Sequence, residues 1–382
     1  MKPLKLILVL VLLLNLTGCW SKLELDELTF VYGLFIDVGE EPGTVEVTIS
    51  SPLPNRLDSG AQGGGAGDGK SYSMVSKTAP TIPEAILLIQ KDLSRKMEAS
   101  HLKIIVLGKQ YAKQGIGDML EWFQRQPENS LGTYIMAAPG KAKEIPMLTP
   151  VFEQLPDQVL NNMARQKILF STTIRDCILS ESYHMGYAMN YLSFGKKSET
   201  SEQGKTEYWC GVDGVMLFQD KKMKAILKVK EGRALAWAAD HYVQSVNSFA
   251  WDDDGKGTAT AYFLNDKASS SVKMTPEGPE FHVKLKGRAS ITSFKDSKQR
   301  KADQLSHLLK TKLQEKAVKE VSETLENVQK AGIDVLQLGM LLEWNYPEEW
   351  KRLRDHWEDY YSREARIKVT ADFKIADFGS EK

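Results

Sequence analysis

Two short stretches of this chain carry residue types that could do chemistry. Residues 63–71 read GGGAGDGKS, and Gly64, Gly69, Lys70 and Ser71 fit the spacing G-x-x-x-x-G-K-[ST]. That pattern is the loop in which glycine N–H groups and a lysine cradle the phosphates of a nucleotide. The loop works only between a buried strand and a helix whose N-terminus holds the anion. Upstream stands SSPLPNRLDSGAQ, broken by Pro52 and Pro54, and downstream stands YSMVSKTAP, a poor helix that reaches Pro80. Six of the ten residues at 60–69 are glycine, so a chance match to a Gly-anchored pattern is expected. A surface loop between two strands is the expectation here.

The second stretch is the start of the chain, MKPLKLILVLVLLLNLTGCW. Lys2 and Lys5 precede an unbroken apolar run of nine, residues 6–14, and small or polar residues follow at Thr17 and Gly18. This is the grammar of a secretory signal, and the run is too short for a spanning helix, which needs about 20 apolar residues. Leu16-Thr17-Gly18-Cys19 resembles the bacterial lipobox. The resemblance implies a diacylglyceryl group on the Cys19 thiol and cleavage just before it. Cys19 is therefore the one candidate site residue, as a lipid attachment point. Buried acyl carbons contribute about 0.8 kcal/mol per CH₂, so two long chains anchor a protein essentially permanently.

Removing residues 1–18 takes two of the 50 Lys and Arg and none of the 50 Asp and Glu. The mature chain has no basic footprint for nucleic acid. With Cys19 lipidated, Cys177 and Cys210 remain, and an oxidising exterior would permit either a bridge or two buried thiols. The six histidines are scattered, with no H-E-x-x-H or C-x-x-C spacing, so no metal or cofactor is expected.

The elements that must carry such sites follow from periodicity. ELDELTFVYGLFIDV reads as a helical turn leading into a strand at 30–38, and Val45, Val47 and Ile49 alternate in a second. Thr81 and Glu84 form a capping box for a helix with an apolar stripe at Ile82, Ile86, Ile89, Leu93 and Met97. HLKIIVLGK reads as a buried strand, 115–125 as a helix and TYIMAA as a strand, so an α/β N-terminal part is predicted. In the second half, strand-like segments follow one another from GVMLF to EFHVKLKGRASITSF, which implies antiparallel pairing. DDDGKG at 252–257 reads as a hairpin turn rather than a calcium loop.

Leu305, Leu309, Leu313, Ala317, Val321 and Leu325 predict a long helix over 301–330, ended by Gly332. Asp334 can cap a shorter helix through Leu342, and Pro347 opens a third in which Trp350, Leu353 and Trp357 share a face and read as core. Ile367 to Ile375 alternate as a half-buried strand. The fold class is thus α+β and multi-domain: an N-terminal mixed α/β part, and a C-terminal antiparallel sheet with long helices. The expected divisions are 1–18 (signal peptide), 19–195 (N-terminal domain with the glycine-rich loop at 58–70), 196–205 (a polar linker) and 206–382.

Several segments together resemble one family. LTGCW followed by ELDELTFVYGLFID, then WCGVDGVMLFQDKKMKAIL, then GIDVLQLGMLLEWNYPEEWKRLRDHWEDYY and ARIKVTADFKI resemble the Ger(x)C lipoproteins, the C subunits of spore germinant receptors. The family's usual Gly-Ile-Gly-Ile-Asp is here Gly33-Leu34-Phe35-Ile36-Asp37. The resemblance implies a three-domain α+β lipoprotein, not an enzyme, on the outer face of the spore inner membrane. It would act with two membrane-embedded partners, the A and B subunits, in answering small nutrients. The competing reading is a substrate-binding lipoprotein of a transporter, which requires two similar α/β lobes. A hydrolase would need a nucleophile grouping, and no Gly-x-Ser-x-Gly or zinc signature is present.

Overall fold

The computed structural model describes residues 24–57, 70–198, 206–241, 245–252, 255–296 and 298–379. Cys19 and most of the glycine-rich loop lie outside these residues.

The first sheet has eight strands. They are β2 (Gly33–Val38), β3 (Val45–Pro52), β4 (Tyr72–Ala79), β6 (Ile104–Leu107), β7 (Tyr134–Ala137), β8 (Tyr187–Ser198), β9 (Thr206–Gln219) and β10 (Lys222–Lys228), in the order β10-β9-β8-β7-β6-β2-β3-β4. The central pairs β2/β6, β6/β7 and β7/β8 are parallel, and the flanking pairs are antiparallel. A parallel sheet must be covered on both faces, which is why its strands read as continuous apolar runs. All four residues of β6 are buried. One face is covered by α1 (Ile82–Asp92), α2 (Lys109–Gln114), α3 (Gly117–Arg125) and α5 (Ile174–Ser182); the other by α4 (Pro156–Arg165) and the 3-10 turn Ala142–Met147. A separate two-stranded ribbon joins β1 (Leu28–Phe30) to β5 (Lys96–Glu98) in parallel.

The second sheet has four strands in order: β11 (Ser245–Ala250), β12 (Thr258–Thr275), β13 (Gly278–Lys295) and β14 (Arg366–Asp377). One face packs on α6 (Val229–Ala238) and α7 (Ser306–Lys330), with Phe263, Leu285, Leu309, Leu313 and Phe373 buried together. Below them α8 (Leu338–Asn345), α9 (Pro347–Leu353) and α10 (Trp357–Arg363) bury Trp350, Leu353 and Trp357 against Phe281, which places the aromatic face in the core as its spacing predicts. Gly332 ends α7 at φ +73°, with the Ile333 N–H returned to the Val328 carbonyl and the Gly332 N–H to Gln329.

Of the polar stretch expected as a linker at 196–205, the structure describes residues 196–198. They close β8 and pair with β9, Lys196 to Tyr208 and Ser198 to Thr206, and β9 and β10 belong to the first sheet. One expectation needs correction: the second sheet is not wholly antiparallel, and β14 lies parallel to β13, because α7 to α10 carry the chain back to the end at which β13 begins. The helices after α7 span about two turns each.

Candidate functional site

Lys70 and Ser71 do not form a phosphate site. Ser71 donates its hydroxyl to the Gln154 carbonyl at 2.7 Å, the Lys70 carbonyl accepts from Arg56, and the Lys70 ammonium lies over the Tyr72 ring. The next element is β4, a strand, so the helix that a phosphate loop needs directly after it is missing. Gly64 and Gly69 lie outside the described residues.

The Gly33–Asp37 segment is where sequence and tertiary structure meet most closely. It forms β2 at the centre of the sheet, and each end holds a buried carboxylate against a glycine. Asp37 is buried and accepts from the Ala142 and Lys143 N–H groups at 2.8 and 3.0 Å, capping the 3-10 turn. A Cβ on Gly108 would stand 1.9 Å from its Oδ1. Burial raises the Asp37 pKa, partly offset by those two N–H groups. Beside it Lys143 pairs with Glu46 at 2.6 Å.

At the other end Asp157, from the first turn of α4, is fully buried. It accepts from the Ser50 hydroxyl at 2.6 Å, and its Oδ1 has no partner and faces Gly33, where a Cβ would stand 2.2 Å away. Burial pushes its pKa up to about 6. Sequence reading missed Asp157. The only signal was an acid two residues after Leu155, at a helix start, where an exposed dipole partner is the ordinary reading.

A third buried acid, Asp334, organises the C-terminal helices. Its carboxylate accepts from the Leu338 and Gly339 N–H groups at 3.0 and 2.9 Å and from the Trp357 indole at 3.1 Å. The capping role read from the sequence is met, and the indole bond adds a tie from α8 to α10. Burial again pushes the pKa up to about 6.

Cys177 and Cys210 are free, buried thiols in different clusters, on opposite faces of the first sheet. Burial raises both, Cys210 to about 12, so neither is a nucleophile at neutral pH. Among the described residues no three His, Cys, Asp or Glu side chains are grouped to hold a metal. No helix among them is long and apolar enough to cross a membrane.

A cleft of about 420 Å³ lies between α5 and α8. Leu179, Tyr183, Met340 and Trp344 form its walls, and Asp176 and His241 also line it. Gln337 bridges the two sides by donating to the Ser180 hydroxyl at 3.0 Å. Burial lowers the His241 pKa, so the ring is neutral at physiological pH. This lining suits apolar and aromatic contact; it holds no activated nucleophile.

Comparison with known proteins agrees with the architecture. The family described as "Spore germination protein N-terminal domain" matches residues 21–185, and "Spore germination B3/ GerAC like, C-terminal" matches residues 213–379. Spore germination protein KC of Bacillus subtilis (strain 168) is 25% identical over 99% of this chain and 96% of its own. Spore germination protein B3 of the same organism is 25% identical over 97% and 96%. The crystal structure of the GerBC protein superposes over 90% of this chain and 97% of its own, with a TM-score of 0.57 at 20% identity, which is a likeness of fold. With both family segments matched in order along an α+β chain, this protein belongs to the Ger(x)C family of spore germination proteins.

Proposed function

We propose that this chain is a lipid-anchored, non-catalytic subunit of a nutrient germinant receptor, held on the outer face of the membrane through Cys19 and acting beside A and B membrane subunits. The observation that carries the reading is the combination of both family segments with Leu16-Thr17-Gly18-Cys19 directly before the first of them. A tether raises the local concentration of the body at its membrane partners without a strong soluble affinity. The state of the reactive groups favours a non-catalytic role. Asp37, Asp157 and Asp334 are enclosed by the fold, Asp37 and Asp334 are engaged by backbone N–H groups, and both described thiols are buried and protonated. The transporter reading is disfavoured, because an eight-stranded mixed sheet and a four-stranded one do not make two similar lobes.

The test is Cys19→Ala in the native host. The variant should leave the membrane fraction, lose its acyl label and weaken nutrient-triggered germination. Retention in the membrane with a normally cleaved signal would refute the anchor.

A further inference from the structure

The second sheet buries one face against helices and leaves the other to solvent. Cross-strand register puts five rungs of three residues on that open face, running from Lys273–Glu280–Arg366 to Asn265–Arg288–Lys374. Lysines and arginines hold eight of the fifteen positions, against two carboxylates, Glu280 and Asp372, in a chain whose total formal charge is zero. Lys368 is paired with Glu280 at 2.8 Å and Lys284 lies 3.7 Å from Asp372. Lys267, Lys273, Lys286, Arg288 and Lys374 are exposed and have no ion-pair partner among the described residues.

Two features say what this face is for. First, Lys267 stands directly opposite Lys286, and Arg288 opposite Lys374. Like charges in register across strands destabilise a sheet, so the fold carries repulsion that an anionic surface would relieve. Second, the remaining positions are polar: Asn265, Ser269, Ser271, Thr370 and His282, whose ring lies 2.8 Å from Glu280. No Phe, Tyr, Trp or aliphatic anchor stands on the five rungs, whereas protein interfaces concentrate their energy in such anchors. The rungs cover about 27 Å by 10 Å. A flat, unanchored plate of cations matches the headgroup plane of an anionic lipid surface, which contacts many charges at once and demands no shape.

We propose that this face of β12, β13 and β14 rests on anionic phospholipid headgroups. It is a second, electrostatic membrane contact that orients the body, and its biological setting rests on the lipid-anchor reading above. A lipid attached at one residue leaves a protein free to tumble about its tether; a charged plate removes that freedom and fixes which surfaces face the membrane partners.

The test uses the mature chain from residue 19 carrying Cys19→Ser, which bears no acyl group, so its outcome is independent of the anchor. Vesicles of phosphatidylglycerol in phosphatidylcholine should sediment it at about 50 mM salt and release it at about 0.5 M, and pure phosphatidylcholine should not bind it. Loss of about fivefold in partitioning is expected for each lysine neutralised, so Lys267→Gln, Lys286→Gln and Lys374→Gln together should cost on the order of a hundredfold. The matching triple away from the face, Lys91→Gln, Lys113→Gln and Lys224→Gln, should bind as the parent does. No sedimentation at low salt would overturn the proposal, as would equal loss in both triples, which would mean bulk charge alone. Unchanged vesicle binding by the face triple, with lost co-purification of membrane-protein partners, would assign the plate to an acidic protein and overturn it too.

Discussion

Replacing Asp157 by asparagine tests the claim that a buried, half-partnered carboxylate sits at the centre of the first sheet. Its folded pKa is pushed from 3.8 up to about 6 by burial. A carboxyl raised in the folded state contributes stability that is fully present below its unfolded pKa and is lost as pH rises through its folded one. The window is therefore about pH 4 to 6. A rise of roughly two units at about 1.36 kcal/mol each puts the cost of ionising Asp157 in the fold on the order of 3 kcal/mol, as an upper bound. The amide of the Asp157→Asn variant mimics the protonated acid: its oxygen still accepts from Ser50, and the second group facing Gly33 is neutral. Urea unfolding of the unacylated chain should give equal stability for the parent and Asp157→Asn near pH 4. By about pH 7.5 the variant should be the more stable by about 1–3 kcal/mol. Taking the difference cancels every other titrating group. A difference that stays flat across that range, or that favours the aspartate at the upper end, would refute the reasoning.

Other outcomes follow from the same geometry. Gly33→Ala places a Cβ 2.2 Å from Asp157 and 2.7 Å from the Ser50 hydroxyl, and should cost about 1–3 kcal/mol. In an Asp157→Ala background the loss should shrink, and a double-mutant cycle that shows no coupling would contradict the contact. Asp334→Ala strips two helix N–H groups and the Trp357 indole of their acceptor, and should cost about 3–5 kcal/mol in urea unfolding, with a shift in Trp fluorescence. Cys177 and Cys210 should react with a thiol reagent only after unfolding; prompt native labelling of either would show that its enclosure opens.

Much of the local structure is legible because it is written in periodicity. The i+4 apolar row of α7 and its ending at Gly332 need only the helix repeat and one residue tolerant of positive φ. The core role of Trp350, Leu353 and Trp357 follows from the same repeat. The missing helix after Lys70 and Ser71, which removes the nucleotide reading, is also visible in local composition. Helix α6 is not legible in this way, because its ten residues sit between strand-like segments and include Gly232, where a short run gives the repeat little weight.

The sequence by itself determined the family, the signal grammar around Cys19 and most element identities, since each depends on residues close together in the chain. Only the tertiary structure decided that β8 to β10 complete the first sheet, that β14 lies parallel to β13, and that Gly33 is small because Asp157 lies against it. Strand order, strand direction and the depth of a carboxylate depend on neighbours far away in the chain, as Asp157 is from Gly33 and Ser50. Their energies come from pairing and desolvation, which leave no mark on the local pattern of apolar and polar residues.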